Sequence, residues 1–167
     1  LLPLGMASAS PPTFTDLITF GDSLSDTGRV HAAALGFYPA PPYYQGRFSD
    51  GPVWAETFAA AIGHDADDAQ GGGDNWAVGG ATAAGSGNVL DVQVAQYLLS
   101  VSGAADPSAL YAVWIGGNDV NGAAGDSDMV SQMAGATEDL EDALVTLHTA
   151  GARRFLIPNL PDVGRTP

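Results

Sequence analysis

Asp16-Leu-Ile-Thr-Phe-Gly-Asp-Ser-Leu-Ser-Asp-Thr-Gly28 sets the fold. Leu17 to Phe20 is a short apolar, β-rich run bounded by Gly21 and Asp22, which reads as a buried strand ending in a turn. Ser23 follows at once, so a hydroxyl stands just beyond the carboxyl end of that strand.

Working outward, the chain alternates strand and helix. A loop rich in proline (Pro39, Pro41, Pro42) separates the first strand from a helix opened by Asp50-Gly51-Pro52 and ended by Gly63. Asp50 suits the cap, Pro52 the first turn and Gly63 the stop. After an acidic, Gly-rich loop, Asn75 to Val78 reads as a second strand running into Gly79-Gly80. Asp91 to Leu99 has the apolar spacing of a helix face, and Leu110 to Ile115 is a continuous apolar strand. Ser127 or Asp128 caps the longest helix, which Gly151 stops near Ala150, and Arg154 to Pro158 gives a fourth strand. This order predicts an α/β fold: a parallel sheet between helical layers, with ligands bound beyond the carboxyl ends of the strands.

Three strand ends then deliver Ser23, Gly79-Gly80 and Gly116-Gly117-Asn118-Asp119 to one edge of the sheet. That set meets the needs of acyl transfer. A serine hydroxyl attacks a carbonyl carbon, and the oxyanion that develops needs preorganised donors about 2.7–3.1 Å away. Ser23 and Gly80 can offer backbone N–H groups, and Asn118 a side-chain N–H. Glycine at 80 lets the backbone approach substrate with no Cβ in the way. The plainer reading of Gly79-Gly80 and Asn118 is as turn residues, and Asp119 is expected to hold its loop together.

Phe20-Gly-Asp-Ser-Leu-Ser-Asp-Thr-Gly28 closely resembles the first signature block of the SGNH, or GDSL, hydrolases. Asn75-Trp-Ala-Val-Gly-Gly-Ala-Thr82 resembles the second block, whose glycine maps onto Gly80, and Gly116-Gly-Asn-Asp119 the third, whose asparagine maps onto Asn118. Gly46-Arg-Phe-Ser-Asp-Gly-Pro-Val-Trp54 and Asn159-Leu-Pro-Asp-Val-Gly-Arg-Thr-Pro167 look like the phospholipase, lecithinase and haemolysin-like branch. The resemblance implies a three-layer α/β/α flavodoxin-like fold, a serine esterase or lipase forming an acyl-enzyme on Ser23, no cofactor or metal, and a secreted or periplasmic location. Arg29 stands where this branch often carries asparagine.

The family's fourth block, Asp-x-x-His, has no match, so the general base and its aspartate are absent from this chain. The fold's C-terminal strand and helix are also expected to be missing, leaving a sheet edge for a second chain, a cleaved C-terminal fragment or a swapped dimer to cover. His31, His64 and His148 are the only histidines. Each is expected to be structural or surface, with His31 the nearest substitute. The competing reading is a truncated, inactive flavodoxin-like module that binds a ligand or partner at the same edge.

Composition narrows the partners. Among 167 residues, 19 acidic against 5 basic give a formal net charge of -14, which repels phosphate backbones and excludes nucleic acid. Cysteine is absent, which removes disulfides and thiolate chemistry. Residues 1–15 are set aside as a leader, either a cloning remnant before Met6 or the tail of a processed signal peptide, and 16–167 form the hydrolase domain. The acidic loops around Asp65 to Asp74 and Asp119 to Asp128 lack EF-hand spacing and are expected to be solvated. Trp54, Trp76 and Trp114 are expected in the core. Tyr38, Tyr43 and Tyr44 either line an acyl pocket or belong to a packed surface loop.

Overall fold

A computed structural model describes residues 13–87 and 89–163. Most of the leader (1–12) and the end of the last motif (164–167) lie outside the described residues. Strand β1 (Leu17–Gly21), helix α1 (Arg29–Ala33), α2 (Trp54–Ile62), α3 (Leu90–Ser100), β2 (Leu110–Trp114), α4 (Gly117–Ala123), α5 (Met129–Ala150) and β3 (Arg154–Leu156) follow in chain order. The sheet is parallel, in the order β1-β2-β3, with Leu17 opposite Leu110 and Leu110 opposite Arg154.

The two-residue period of the strands sorts their side chains into two cores. Ile18, Phe20, Tyr111 and Val113 face α3 and α5, meeting Leu90, Val94, Tyr97, Ala143 and Leu147. Leu17, Leu110 and Ala112 face α2, meeting Val53, Ala55 and Ala59. Helices therefore cover both faces, as the α/β/α reading expects. Burying Phe20 or Leu17 contributes about 1.5–3 kcal/mol each, and both are fully enclosed.

Four local expectations change. Residues 75–78 lie beside β1 but form only a partial ladder: Thr19 N–H donates to Asp74, Trp76 N–H to Thr19 and Val78 N–H to Gly21. The Asn75 side chain accepts the Ala77 N–H at 3.0 Å, and the Gln93 amide brackets Gly21, so side chains replace the missing strand bonds. Helix α2 begins at Trp54 and not at Asp50, because the Glu56 carboxylate reaches back to the Val53 N–H at 2.8 Å. Strand β3 stops at Leu156, two residues short, before Pro158, which cannot donate to a ladder. The three tryptophans are half-buried and not fully enclosed, with Trp54 and Trp114 edge to face at 5.5 Å.

Thr13 to Thr15, placed with the leader from sequence, touch the domain. Phe14 packs against the α2-side core beneath the Arg154 guanidinium, and the Thr15 hydroxyl donates to Asp106 at 2.7 Å. Among the described residues no helix is long and apolar enough to cross a membrane.

Asp74 lies beside Asp16, and burial together with that neighbouring charge pushes its carboxyl up to about 6. The folded state thus holds a proton that the unfolded chain releases near pH 4. Stability from this proton is complete below about pH 4 and is lost as pH rises through about 6. Asp74→Asn should therefore raise stability at pH 7.5 by up to about 1 kcal/mol, since half-exposure screens the effect, and change little at pH 4. Thermal unfolding at both pH values checks this, and equal shifts at the two would contradict it.

Candidate active site

The turn after β1 is built by Asp22. Its main-chain carbonyl accepts the N–H groups of Ser25 and Asp26, and its side chain accepts that of Leu24 at 3.0 Å. The chain reverses there, and Ser23 is left half-buried at the corner. Gly21 is required by space: a Cβ on it would stand 2.3 Å from the Trp114 carbonyl oxygen. Among the described residues, neither the Ser23 hydroxyl nor its backbone N–H has a hydrogen-bond partner.

The second loop is tied to the first through Asp26, which is fully buried. Its carboxylate accepts the N–H groups of Gly28 and Arg29 at 2.7 Å each, of Val30 at 3.2 Å and of Gly79 at 2.8 Å. One side chain thus caps α1 and holds the glycine pair. Asn75, also buried, adds a bond from its amide to the Ser25 carbonyl at 2.7 Å. Gly79 and Gly80 differ in what they need. A Cβ on Gly79 would fall 2.4 Å from the Phe48 ring, whereas Gly80 has open space around it but a φ of 81°, where L side chains are strained. The Gly80 N–H, unlike that of Gly79, finds no acceptor among the described residues.

The third loop clamps the second. Gly116 turns the chain into α4. The Asn118 amide donates to the Ala81 carbonyl at 2.7 Å, and the Asp119 carboxylate accepts the N–H groups of Ala83 and Ala84 at 2.9 and 3.1 Å. Asp119 does the loop-holding expected of it. Burial, and to a lesser degree the charge of Asp119, raises the Asp22 carboxyl above the ordinary carboxylate range.

Ser23 and Asn118 line one cavity of about 210 Å³, with Asp22, Leu24, Gly117, Asn121, Leu160, Pro161 and Val163. Gly80 does not line it and is connected through Ala81, its neighbour in the chain. A larger cavity of about 500 Å³ beside Arg29 and Gly79 contains no serine or histidine. Of the two, the smaller brings the Ser23 hydroxyl and the Asn118 amide together.

The wall made by Leu160, Pro161 and Val163 belongs to the family-like stretch Asn159 to Pro167, to which the sequence alone assigns no place in the site. Gln93, read as one residue of a helix, in fact pairs with both polar groups of the Gly21 backbone, at 2.9 and 2.8 Å. Arg29 is buried, with its guanidinium over the Trp76 ring and hydrogen bonds to the Trp76 carbonyl and Gln96.

No histidine lines the Ser23 cavity. His31 packs against Gly46, where a Cβ would fall 2.5 Å from its ring, His64 bonds the Phe14 carbonyl at 3.1 Å, and His148 is exposed in the last turn of α5. Tyr38, Tyr43 and Tyr44 also lie outside that lining, so the surface-loop alternative describes them. Among the described residues no three His, Asp or Glu side chains gather as a metal cluster.

Against known proteins, the model of the GDSL-like lipase/acylhydrolase family matches residues 17–167. The chain is 34% identical to a phosphatidylcholine-sterol acyltransferase of Aeromonas hydrophila, over 96% of this chain and 49% of that protein. It is 32% identical to a thermolabile hemolysin of Vibrio parahaemolyticus, over 96% of this chain and 37% of that protein. An acetylesterase of Thermothelomyces thermophilus is 31% identical over 98% of this chain and 60% of its own length. The chain thus spans about half, or less, of the length of the first relatives it matches.

Removing Asp26 should cost more than removing any other polar side chain near the site. Asp26→Ala leaves four N–H groups without their acceptor and should lower unfolding free energy by about 3–5 kcal/mol; Asp26→Asn, which keeps one carbonyl oxygen, should cost about half of that. Urea unfolding of the two variants checks both the size and the order.

Proposed function

The chain belongs to the GDSL-like lipase/acylhydrolase family, and from that premise we propose that it hydrolyses acyl esters with Ser23 as nucleophile. The observation that carries the reading is the pairing of Ser23 with Asn118 in one cavity, with Asn118 tied through Ala81 to the Gly80 loop and the Ser23 and Gly80 N–H groups both without an acceptor among the described residues.

The Ser23 Oγ attacks the acyl carbon and gives its proton to a base. The carbonyl oxygen becomes an oxyanion that accepts from the Ser23 N–H, the Gly80 N–H and the second Asn118 N–H, the first being held by Ala81. Collapse expels the alkoxide, which takes up a proton, and leaves an acyl-Ser23 ester that water then cleaves. The donors are fixed before substrate arrives, so little reorganisation opposes the reaction.

The base is assigned outside the three histidines of this chain, because none of them lines the cavity. It would come from a further stretch of a longer protein, a cleaved C-terminal fragment or a second polypeptide, and a preparation lacking it should be slower on the order of 10²–10⁴-fold. Export to the periplasm or the medium belongs to the same reading, and cell fractionation tests it.

Hydrolysis of p-nitrophenyl butyrate gives the test. Ser23→Ala should abolish turnover and labelling by a fluorophosphonate probe. Asn118→Ala should lower kcat about 10²–10³-fold with KM nearly unchanged, since its donor acts on the oxyanion and not on bound ester. Equal rates for Ser23→Ala and the parent protein would end the assignment.

A further inference from the structure

The charged residues of this chain are unevenly spread. With 19 acidic and 5 basic residues in all, none falls between Arg29 and Arg47. Both flanking arginines are engaged, Arg29 buried against Trp76 and Arg47 paired with Glu56 at 2.6 Å. The uncharged segment also carries four of the ten large hydrophobic side chains exposed among the described residues: Leu35 is 83% exposed, Phe37 80%, Tyr38 56% and Tyr43 47%.

Two features mark this exposure as built. Leu35 holds a left-handed φ of 53°, a conformation that suits glycine or asparagine and is strained for leucine. The strain keeps a large apolar side chain in water where a polar residue would sit more easily. The aromatic residues are also anchored at the active site. Tyr38 and Tyr43 meet the Phe48 ring edge to face at 5.5 and 6.0 Å, and Phe48 packs on Gly79, the neighbour of the Gly80 donor. Leu24, next to Ser23 and in the lining of its cavity, is also 41% exposed.

We propose that the Leu35–Tyr43 loop docks the protein on a lipid surface without net charge and so presents ester lipids to Ser23. The inference rests on the acyl-ester reading above and names the physical form of its substrate. Leucine and phenylalanine enter the acyl region, while tyrosines, with an apolar ring and a polar tip, suit the head-group boundary. Charge selects the surface. A chain of net charge -14 that offers no free cation in this loop is repelled by anionic head groups and tolerated by zwitterionic ones.

The test is flotation of the protein with phosphatidylcholine vesicles and, separately, with phosphatidylglycerol vesicles, beside hydrolysis of dissolved p-nitrophenyl acetate. The parent protein should bind phosphatidylcholine and bind phosphatidylglycerol more weakly. The double variant Leu35→Asn, Phe37→Ser should lose roughly tenfold or more of its phosphatidylcholine partition, because two exposed side chains no longer leave water on docking. Both positions are exposed and asparagine suits the Leu35 φ, so folding and hydrolysis of the dissolved ester should stay unchanged. No binding by the parent protein, equal binding by the variant, or preference for phosphatidylglycerol overturns the proposal. So does a dimer in sedimentation that the double variant dissolves, which would assign this face to a second copy. Equal hydrolysis of the dissolved ester by Ser23→Ala and the parent protein would instead strike the acyl-ester reading, and the vesicle result would still decide the docking.

Discussion

The Asp26 carboxylate is the constraint on which the site depends. It is fully buried, yet it accepts four backbone N–H groups, three where α1 begins and one from Gly79. A carboxyl group buried this deeply is accommodated because those donors replace its water. In return it joins two loops far apart in sequence. The turn carrying Ser23 cannot shift against the glycine pair without breaking a charge-assisted bond.

A second tie runs through the third loop. Asn118 and Asp119 together accept from or donate to Ala81, Ala83 and Ala84, so the segment after Gly80 is held from the far side as well. Behind them, Gln93 pairs with both polar groups of Gly21, where β1 has no full strand at its outer edge. Side chains thus complete a backbone network that the short sheet leaves unfinished. The result is three loops whose relative positions are fixed by hydrogen bonds from buried Asp26, Asn75 and Gln93 and from half-buried Asn118 and Asp119, with the apolar cores behind them.

The sequence was legible wherever one rule acted alone. The apolar runs of β1 and β2, the helical spacing of α3 and α5, and the Gly63 and Gly151 stops appear where periodicity and capping place them. Ser23 and Asn118 were legible as strand-end residues and do share a cavity. What was not legible depended on distant partners. Residues 75–78 have strand-like composition, but Asn75 diverts a ladder bond to its own side chain. The α2 start moved because Glu56 outcompetes Asp50 as the cap. Helices α1 and α4 are too short for periodicity to announce, and only Asp26 ahead of Arg29 hinted at the first. Nothing in a single helical glutamine signals that Gln93 will serve as a strand.

The contrast between Gly79 and Gly80 carries the mechanistic argument furthest. They are chemically identical neighbours in one turn. Gly79 is glycine because Phe48 leaves no room, and its N–H is taken by Asp26. Gly80 has room to spare and a left-handed φ, and its N–H is left without an acceptor among the described residues. This loop satisfies one amide with a buried carboxylate and leaves the next without an acceptor among the described residues, which is what the proposed oxyanion role of Gly80 requires. At Asn118, likewise, one amide hydrogen secures the Ala81 carbonyl, and the proposed mechanism uses the other.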